Sequence, residues 1–233
     1  MTTSYTLHPE IFQRSPGYSR GVVWATGVRN GPPTPPLKAL LREAEEQARQ
    51  AMTGNVAEHP RVAAWREAYR AFGAKPSQHR SAIEALLRRV LKPDTLPAIN
   101  RLVDIGTLVS VRHLLPVGVH PIPTGDLDLR PAREGDTFLP PGGEPAESPA
   151  AGEIVFASGS TVLTRRWTWR QAAGTQTLGD TTAVFFNLDG LPPVTAQDVT
   201  TATDDVLRLV REHCGGTLRA VLLEAGRPSA SFA

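Results

Sequence analysis

Apolar residues recur along this chain in two textures. Between residues 37 and 116 they return every three or four positions, and from Pro116 onward they fall in short runs broken by glycine, proline and acidic residues. The first spacing is that of one helix face and the second that of half-buried strands, so a helical block followed by a β-rich block is predicted. In 37–52, Leu37, Leu40, Leu41, Ala44 and Ala48 form one stripe, and Gly54 closes the helix. Val62, Trp65, Ala68 and Tyr69 repeat the pattern over 60–71. In SAIEALLRRVLKP, Ser81 with Glu84 reads as a capping box, Glu84 to Arg88 is a favourable i,i+4 pair, and Pro93 ends the helix. A fourth helix opens with Pro97 at its first position and carries Ile99, Leu102 and Val103. Its far end stays open, because Val109, Val111 and Leu114 suit a strand equally well.

Ahead of these helices, GYSRGVVWATGV (17–28) has strand character and stops at NGPPTPP, a stiff connector that cannot join a sheet. After them, DLDLR, EIVFA, TVLTRRW and TAVFFNLDG are short strands, with 139–153 as a surface loop. Thr195 and Asp198 cap a last helix that ends at Gly215-Gly216, and LRAVLLEA (218–225) is the final strand. Read as one strand, Thr161 to Gln171 places Leu163, Arg165, Trp167, Trp169 and Gln171 on one face. Val162, Thr164, Arg166, Thr168 and Arg170 then share the other.

Composition narrows the class. With 233 residues, 40% of them hydrophobic, the chain can bury a sizeable core. The lone Cys214 excludes an internal disulfide and any cysteine-based zinc site, and a reducing compartment, the cytoplasm, is expected. MTTSYTLHPEIF lacks a basic flank followed by a long apolar run, and no window approaches the run of about 20 apolar residues that spans a bilayer, so neither export by a standard signal nor a membrane span is expected. Charge is uneven: 60–92 holds eight Lys/Arg against two Glu, which suits an anionic partner or a solvated helix face. Phosphate-loop, dinucleotide, zinc-protease and nucleophile-elbow motifs are absent, and the scattered histidines give no metal site, so no cofactor is expected.

Read in order, YRAFGAKPSQHRSAIEALLRRV, LPAINRLVDIGTLVSV, LP-VG, GDLDLRPAREGDTF, GEIVF and RRWTWRQ resemble the B3/B4 module of the phenylalanyl-tRNA synthetase β-subunit, and more closely its freestanding relatives. The likeness spans about 65–192. It implies an α+β fold, a three-layer β/β/α arrangement with an irregular β-sandwich covered by helices. Residues 1–60 would form an N-terminal strand and helix extension, 61–192 the B3/B4-like core and 193–233 a C-terminal helix and strand, all in a single domain. It also implies trans-editing, the hydrolysis of the ester of mischarged aminoacyl-tRNA. Two positions depart from the synthetase: its editing-site histidine falls on Gly118, with His120 two residues later, and its glutamate falls on Gln171.

The candidate catalytic residues are therefore Gln171, His120 and Asn100. His120 would be a general base if it were not simply a surface histidine, and Asn100 would line the pocket or, on one helix face with Asp104, be part of a buried polar pair bonding local backbone or a nearby arginine. Trp169, Arg170 and Arg166 offer a stacking face and guanidinium groups to the 3′ end of a tRNA, while Lys75, Arg80, Arg88 and Arg89 offer charge to its phosphates. Trp167 is expected in the core. The partner would be tRNA or aminoacyl-tRNA, with the amino acid moiety in a pocket and no membrane. Two other readings remain open: a non-catalytic tRNA-binding module, and a pocket for a small amino acid or metabolite.

Overall fold

The computed structural model describes residues 2–233. Three layers stack as a six-stranded sheet, a four-stranded sheet and a layer of helices. The middle layer explains the most apolar runs. Its strands β2 (Ser19–Thr26) and β8 (Ala183–Gly190) are buried on both faces, one against the other sheet and one against helices. Strand β3 (Val117–Pro121) flanks β8, and β9 (Thr217–Leu223) flanks β2 on the far side.

The outer sheet runs β10 (Ser229–Phe232), β1 (Thr3–Leu7), β4 (Leu127–Pro131), β5 (Ile154–Ser158), β6 (Thr161–Arg165) and β7 (Arg170–Gln171). Neither β1 nor β10 stands out in the sequence, because each is short and gains its partners only in the fold. The first 60 residues supply strands to both sheets: β1 pairs with β10 and β4, and β2 lies between β8 and β9. Aromatic rings join the two sheets. Trp24 stacks on Phe232 at 4.7 Å and on Phe185 at 5.8 Å, and Tyr5 meets Phe185 edge-on at 6.1 Å.

On the other face, α5 (Arg101–His113) and α6 (Ala196–His213) pack against the middle sheet, with α2 (Pro35–Ala51) behind α5. Glycine permits this approach. A Cβ on Gly21 would sit 2.1 Å from Thr203 Oγ1, and one on Gly106 would sit 2.6 Å from Val119. The Thr195–Asp198 capping box forms as the residues predict. The prolines before α2 behave otherwise: Thr34 is the cap, so Pro35 and Pro36 begin the helix, where a missing N–H costs nothing. The fourth helix starts at Arg101 rather than near Pro97, because Asn100 caps it by accepting from Val103 N at 3.1 Å. It ends at His113, followed by Leu114 in a left-handed conformation.

Helices α3 (Pro60–Ala71) and α4 (Ala82–Val90) cover one end of the sandwich. There they meet the RRWTWRQ stretch, which is not one strand. It folds back as a hairpin in which β6 and β7 pair Thr164 with Gln171 and Arg165 with Arg170. The turn between them places Arg166 and Trp167 at φ 47° and 65°, a region that side-chain-bearing residues rarely occupy. Tertiary contacts hold it: Trp167 N donates to Ile154 O at 2.7 Å, its ring meets Trp65 edge-on at 5.3 Å, and Tyr69 Oη bonds Thr168 at 3.1 Å.

Candidate functional site

The cavity that the hairpin closes has a volume of about 200 Å³ and lies between the two sheets. Strand register explains its shape. On the inner face of the middle sheet, Arg20 stands opposite Asp189, Val22 opposite Asn187, and Trp24 opposite Phe185. β3 extends the last two rows with Gly118 and His120. The row at one end is ionic and the row at the other is aromatic, so the sandwich is tightly packed at the aromatic end and hollow at the ionic end.

The floor is a buried polar network. Arg20 reaches Asp189 Oδ1 through Nε at 2.7 Å and Nη2 at 2.6 Å, and donates from Nη1 to Tyr5 Oη at 2.8 Å. Tyr5 Oη in turn donates to Asn187 Oδ1 at 2.7 Å, and Tyr18 Oη to Asp189 Oδ1. Burial disfavours the Arg20 charge, yet Asp189 and the two phenols outweigh it and keep the guanidinium protonated. Burial pushes both tyrosine hydroxyls well above their ordinary range, so they remain neutral donors. None of these residues was singled out from the sequence. The signal was there: Arg20 interrupts an apolar strand, and Asn187 and Asp189 alternate with Leu188 at the end of another.

His120 corrects an expectation. It is not a surface residue of a loop but 3% exposed within β3, its ring stacked on Phe185 at 5.3 Å. Burial, with a smaller contribution from Arg20, lowers its pKa to about 3. The ring is therefore neutral, and a weak base near neutrality. Its Nδ1 lies 3.0 Å from Gln171 Nε2, which also donates to Val119 O at 3.3 Å and to Thr175 O. The side-chain amide of Gln171 is held on the nitrogen side, and no protein donor among the described residues reaches its Oε1. Gly118, His120 and Gln171, the three positions marked by the resemblance, all line this cavity.

Asn100 does not line it. Its amide is consumed as the α5 cap and in a bond to Thr177 O at 2.8 Å, so it has no place in the chemistry of the cavity. Asn100 and Asp104 instead bond local backbone, Asn100 accepting from Val103 N at 3.1 Å and Asp104 from Ile99 N at 2.9 Å.

The hairpin distributes its residues differently from an alternating strand. Trp167 is buried, donating to Tyr18 Oη at 3.4 Å, whereas Trp169, Arg170 and Gln171 are half-buried at the cavity rim. Arg166 lies over the Trp169 ring at 4.4 Å, and His79 meets that ring edge-on at 4.7 Å. One face of Trp169 is thus already stacked. Arg165 is buried and anchors the hairpin through Glu153 at 2.7 and 2.8 Å.

Lys75, Arg80, Arg88 and Arg89 lie outside the cavity, on the surface of α4 and the segment before it. Glu84 is fully buried beneath them and accepts from Arg66 at 2.8 Å and Arg88 at 3.0 Å, with Arg80 at 4.0 Å. One carboxylate faces three guanidinium groups, so this surface keeps a net positive charge. Exposed Arg89 and Lys92 extend it, with Asp94 at its edge. Ala82, two residues beyond Arg80, is part of the cavity wall, which places the cationic surface beside the cavity.

No group of three or more potential metal-ligating side chains occurs among the described residues. No helix among them is long and apolar enough to cross a membrane. A model of the B3/4 domain matches residues 64–225. No curated protein matches the chain. Among solved structures, the chain is similar to an N-terminal fragment of the phenylalanyl-tRNA synthetase β-subunit from Pyrococcus horikoshii, with 11% identity over 92% of this chain and a TM-score of 0.46. It spans about half of that fragment, 49% of its length.

Proposed function

The chain belongs to the B3/4 domain family, and on that premise we propose that it binds tRNA and hydrolyses the ester of mischarged aminoacyl-tRNA, in the cytoplasm. The observation that carries this reading is the adjacency of a small cavity with a polar floor to a cationic helix surface. In this reading the cavity takes the amino acid moiety. Trp169 and Arg170 at its rim receive the terminal nucleotide, and Arg80, Arg88 and Arg89, with Lys75 further along, meet phosphates, where positive charge supplies most of the affinity.

The chemistry asks little of a base. An aminoacyl ester is an activated acyl group, so orienting a water against the carbonyl carbon and hydrogen-bonding the developing charge supplies much of the acceleration. His120, kept neutral by burial, is a positioning residue here: its Nδ1 holds the Gln171 amide and leaves Oε1 to orient a water or the substrate ammonium. The test is release of amino acid from a panel of correctly and incorrectly charged tRNAs. Acceleration over buffer for some mischarged species is expected, and none with any tRNA overturns the proposal.

The engagement of the Gln171 Nε2 by three protein acceptors favours a second reading, a tRNA-binding module without turnover. Salt-dependent binding of uncharged tRNA together with a blank deacylation panel selects it.

A further inference from the structure

We propose that the Arg20–Asp189 pair is the specificity-determining element of this cavity and selects an acyl group ending in a neutral function that both donates and accepts hydrogen bonds, a hydroxyl or a carboxamide. The inference rests on the cavity taking the amino acid moiety.

Hydrogen-bond valence is the first support. The side-chain contacts on Asp189 converge on Oδ1: the Tyr18 hydroxyl and Arg20 Nε donate to it, and Arg20 Nη2 lies 2.6 Å away as an ion-pair contact. Oδ2 receives no protein donor among the described residues, and it is not among the fully enclosed polar atoms that lack a partner. Arg20 has five N–H groups, of which Nε–H goes to Asp189 and one on Nη1 to Tyr5, while Nη2 meets Asp189 as an ion-pair contact at 2.6 Å, so N–H groups on both terminal nitrogens are left over. Both side chains line the cavity, and both are almost fully buried, at 1% and 4% exposed. The floor therefore presents an unfilled acceptor beside unfilled donors.

Charge and size narrow the ligand. The pair is neutral as a whole, so a ligand carboxylate would gain from Arg20 but be opposed by Asp189, and an ammonium the reverse. A neutral group with both a donor and an acceptor satisfies each without opposition. An aliphatic or phenyl end would leave both unpaired in a desolvated site, the arrangement by which polar pockets reject apolar analogues most strongly. A cavity of about 200 Å³ is somewhat larger than the engineered one of about 150 Å³ that holds benzene, which admits a side chain but not a nucleoside.

The pair also joins two parts of the chain. Asp189 and Asn187 lie within the family-matched residues 64–225, whereas Arg20, Tyr5 and Tyr18 lie before them. The N-terminal strands thus supply half of the recognition element, and through it the choice of ligand.

The test uses the full chain and three near-isosteric pairs of amino acid methyl esters: threonine and valine, asparagine and leucine, tyrosine and phenylalanine. Binding is read by calorimetry and by the shift of the Trp167 indole N–H resonance. At least tenfold tighter binding of the polar member in one or more pairs is expected. Equal or tighter binding of the apolar member in all three, or no binding at millimolar concentration, overturns the proposal. Asp189→Asn should erase the preference and admit carboxylate-ended side chains; where that variant fails to fold, the wild-type pairs decide alone. Deacylation of tRNAs carrying apolar residues in preference to polar ones would sink this inference and leave the proposed activity standing. Polar preference without any deacylation would do the reverse.

Discussion

Gln171 Nε2 lies 3.0 Å from His120 Nδ1, a contact that joins the outer sheet to the middle sheet at the cavity. Because the imidazole is neutral, Nδ1 acts as the acceptor and the amide as the donor. Gln171→Glu replaces that donor with a carboxylate, which favours the protonated ring. The His120 pKa, about 3 in the native chain, should rise by at least two units in the variant, as followed by NMR titration of the ring. An unchanged titration would show that the two side chains do not meet.

Acid should destabilise the fold through the same histidine. Its folded pKa of about 3 lies below the ordinary value of 6.5, so between these limits the unfolded chain binds more protons. Stability is therefore undiminished above pH 6.5 and is lost progressively as pH falls toward 3, by up to about 4 kcal/mol from this group. His120→Asn should flatten that part of the curve of denaturant midpoint against pH. An equally steep fall in the variant would assign the acid sensitivity elsewhere.

The two hairpin tryptophans should differ sharply. Trp167 is 3% exposed and wedged between Tyr18 and Trp65, so Trp167→Ala leaves a void that costs about 3–5 kcal/mol. Trp169 is half-buried under Arg166, and Trp169→Ala should cost only about 1–2 kcal/mol. Urea unfolding of both variants measures the contrast, and similar losses would contradict it.

Gly21→Ala tests the seam between helix and sheet. The added methyl meets Thr203 Oγ1, which is itself bonded to Val199 O at 2.7 Å, and overpacking of this kind costs about 1–3 kcal/mol. Thr203→Ala in the same chain removes the hydroxyl and should recover part of the loss. Thermal unfolding of the single and double variants decides it.

If tRNA binds through α4, charge removal there should change the salt dependence. Arg88 shares Glu84 with Arg66, so Arg88→Ala leaves that carboxylate paired and the helix intact. Arg88→Ala and Arg89→Ala should each lower the slope of log affinity against log salt by about 1. Unchanged slopes would move the interface to another surface.

What was legible in the sequence is what local physics decides. The amphipathic stripes of α2 to α4, the Ser81 and Thr195 caps and the apolar runs of the middle sheet each depend on residues within a few positions of one another. The size of the Trp167 side chain points to the core, where it lies, but the alternation that set it on one face with Trp169 and Gln171 fails because the stretch is a hairpin. The order of motifs also marked Gly118, His120 and Gln171, which the fold brings to one cavity. Other features required the whole chain. The positive φ at Arg166 and Trp167 is sustained by Ile154, Trp65 and Tyr69, partners far away in sequence. Asn100 had two local readings, pocket wall and member of a buried polar pair; it is the helix cap, and Thr177 O, which lies 77 positions on, takes up the rest of its amide. Arg20 and Asp189 are separated by 169 positions and meet only because β2 and β8 pair in register. A buried charge is tolerated only where its partner is already in place, and that partner is chosen by sheet topology, which no local pattern of residues encodes.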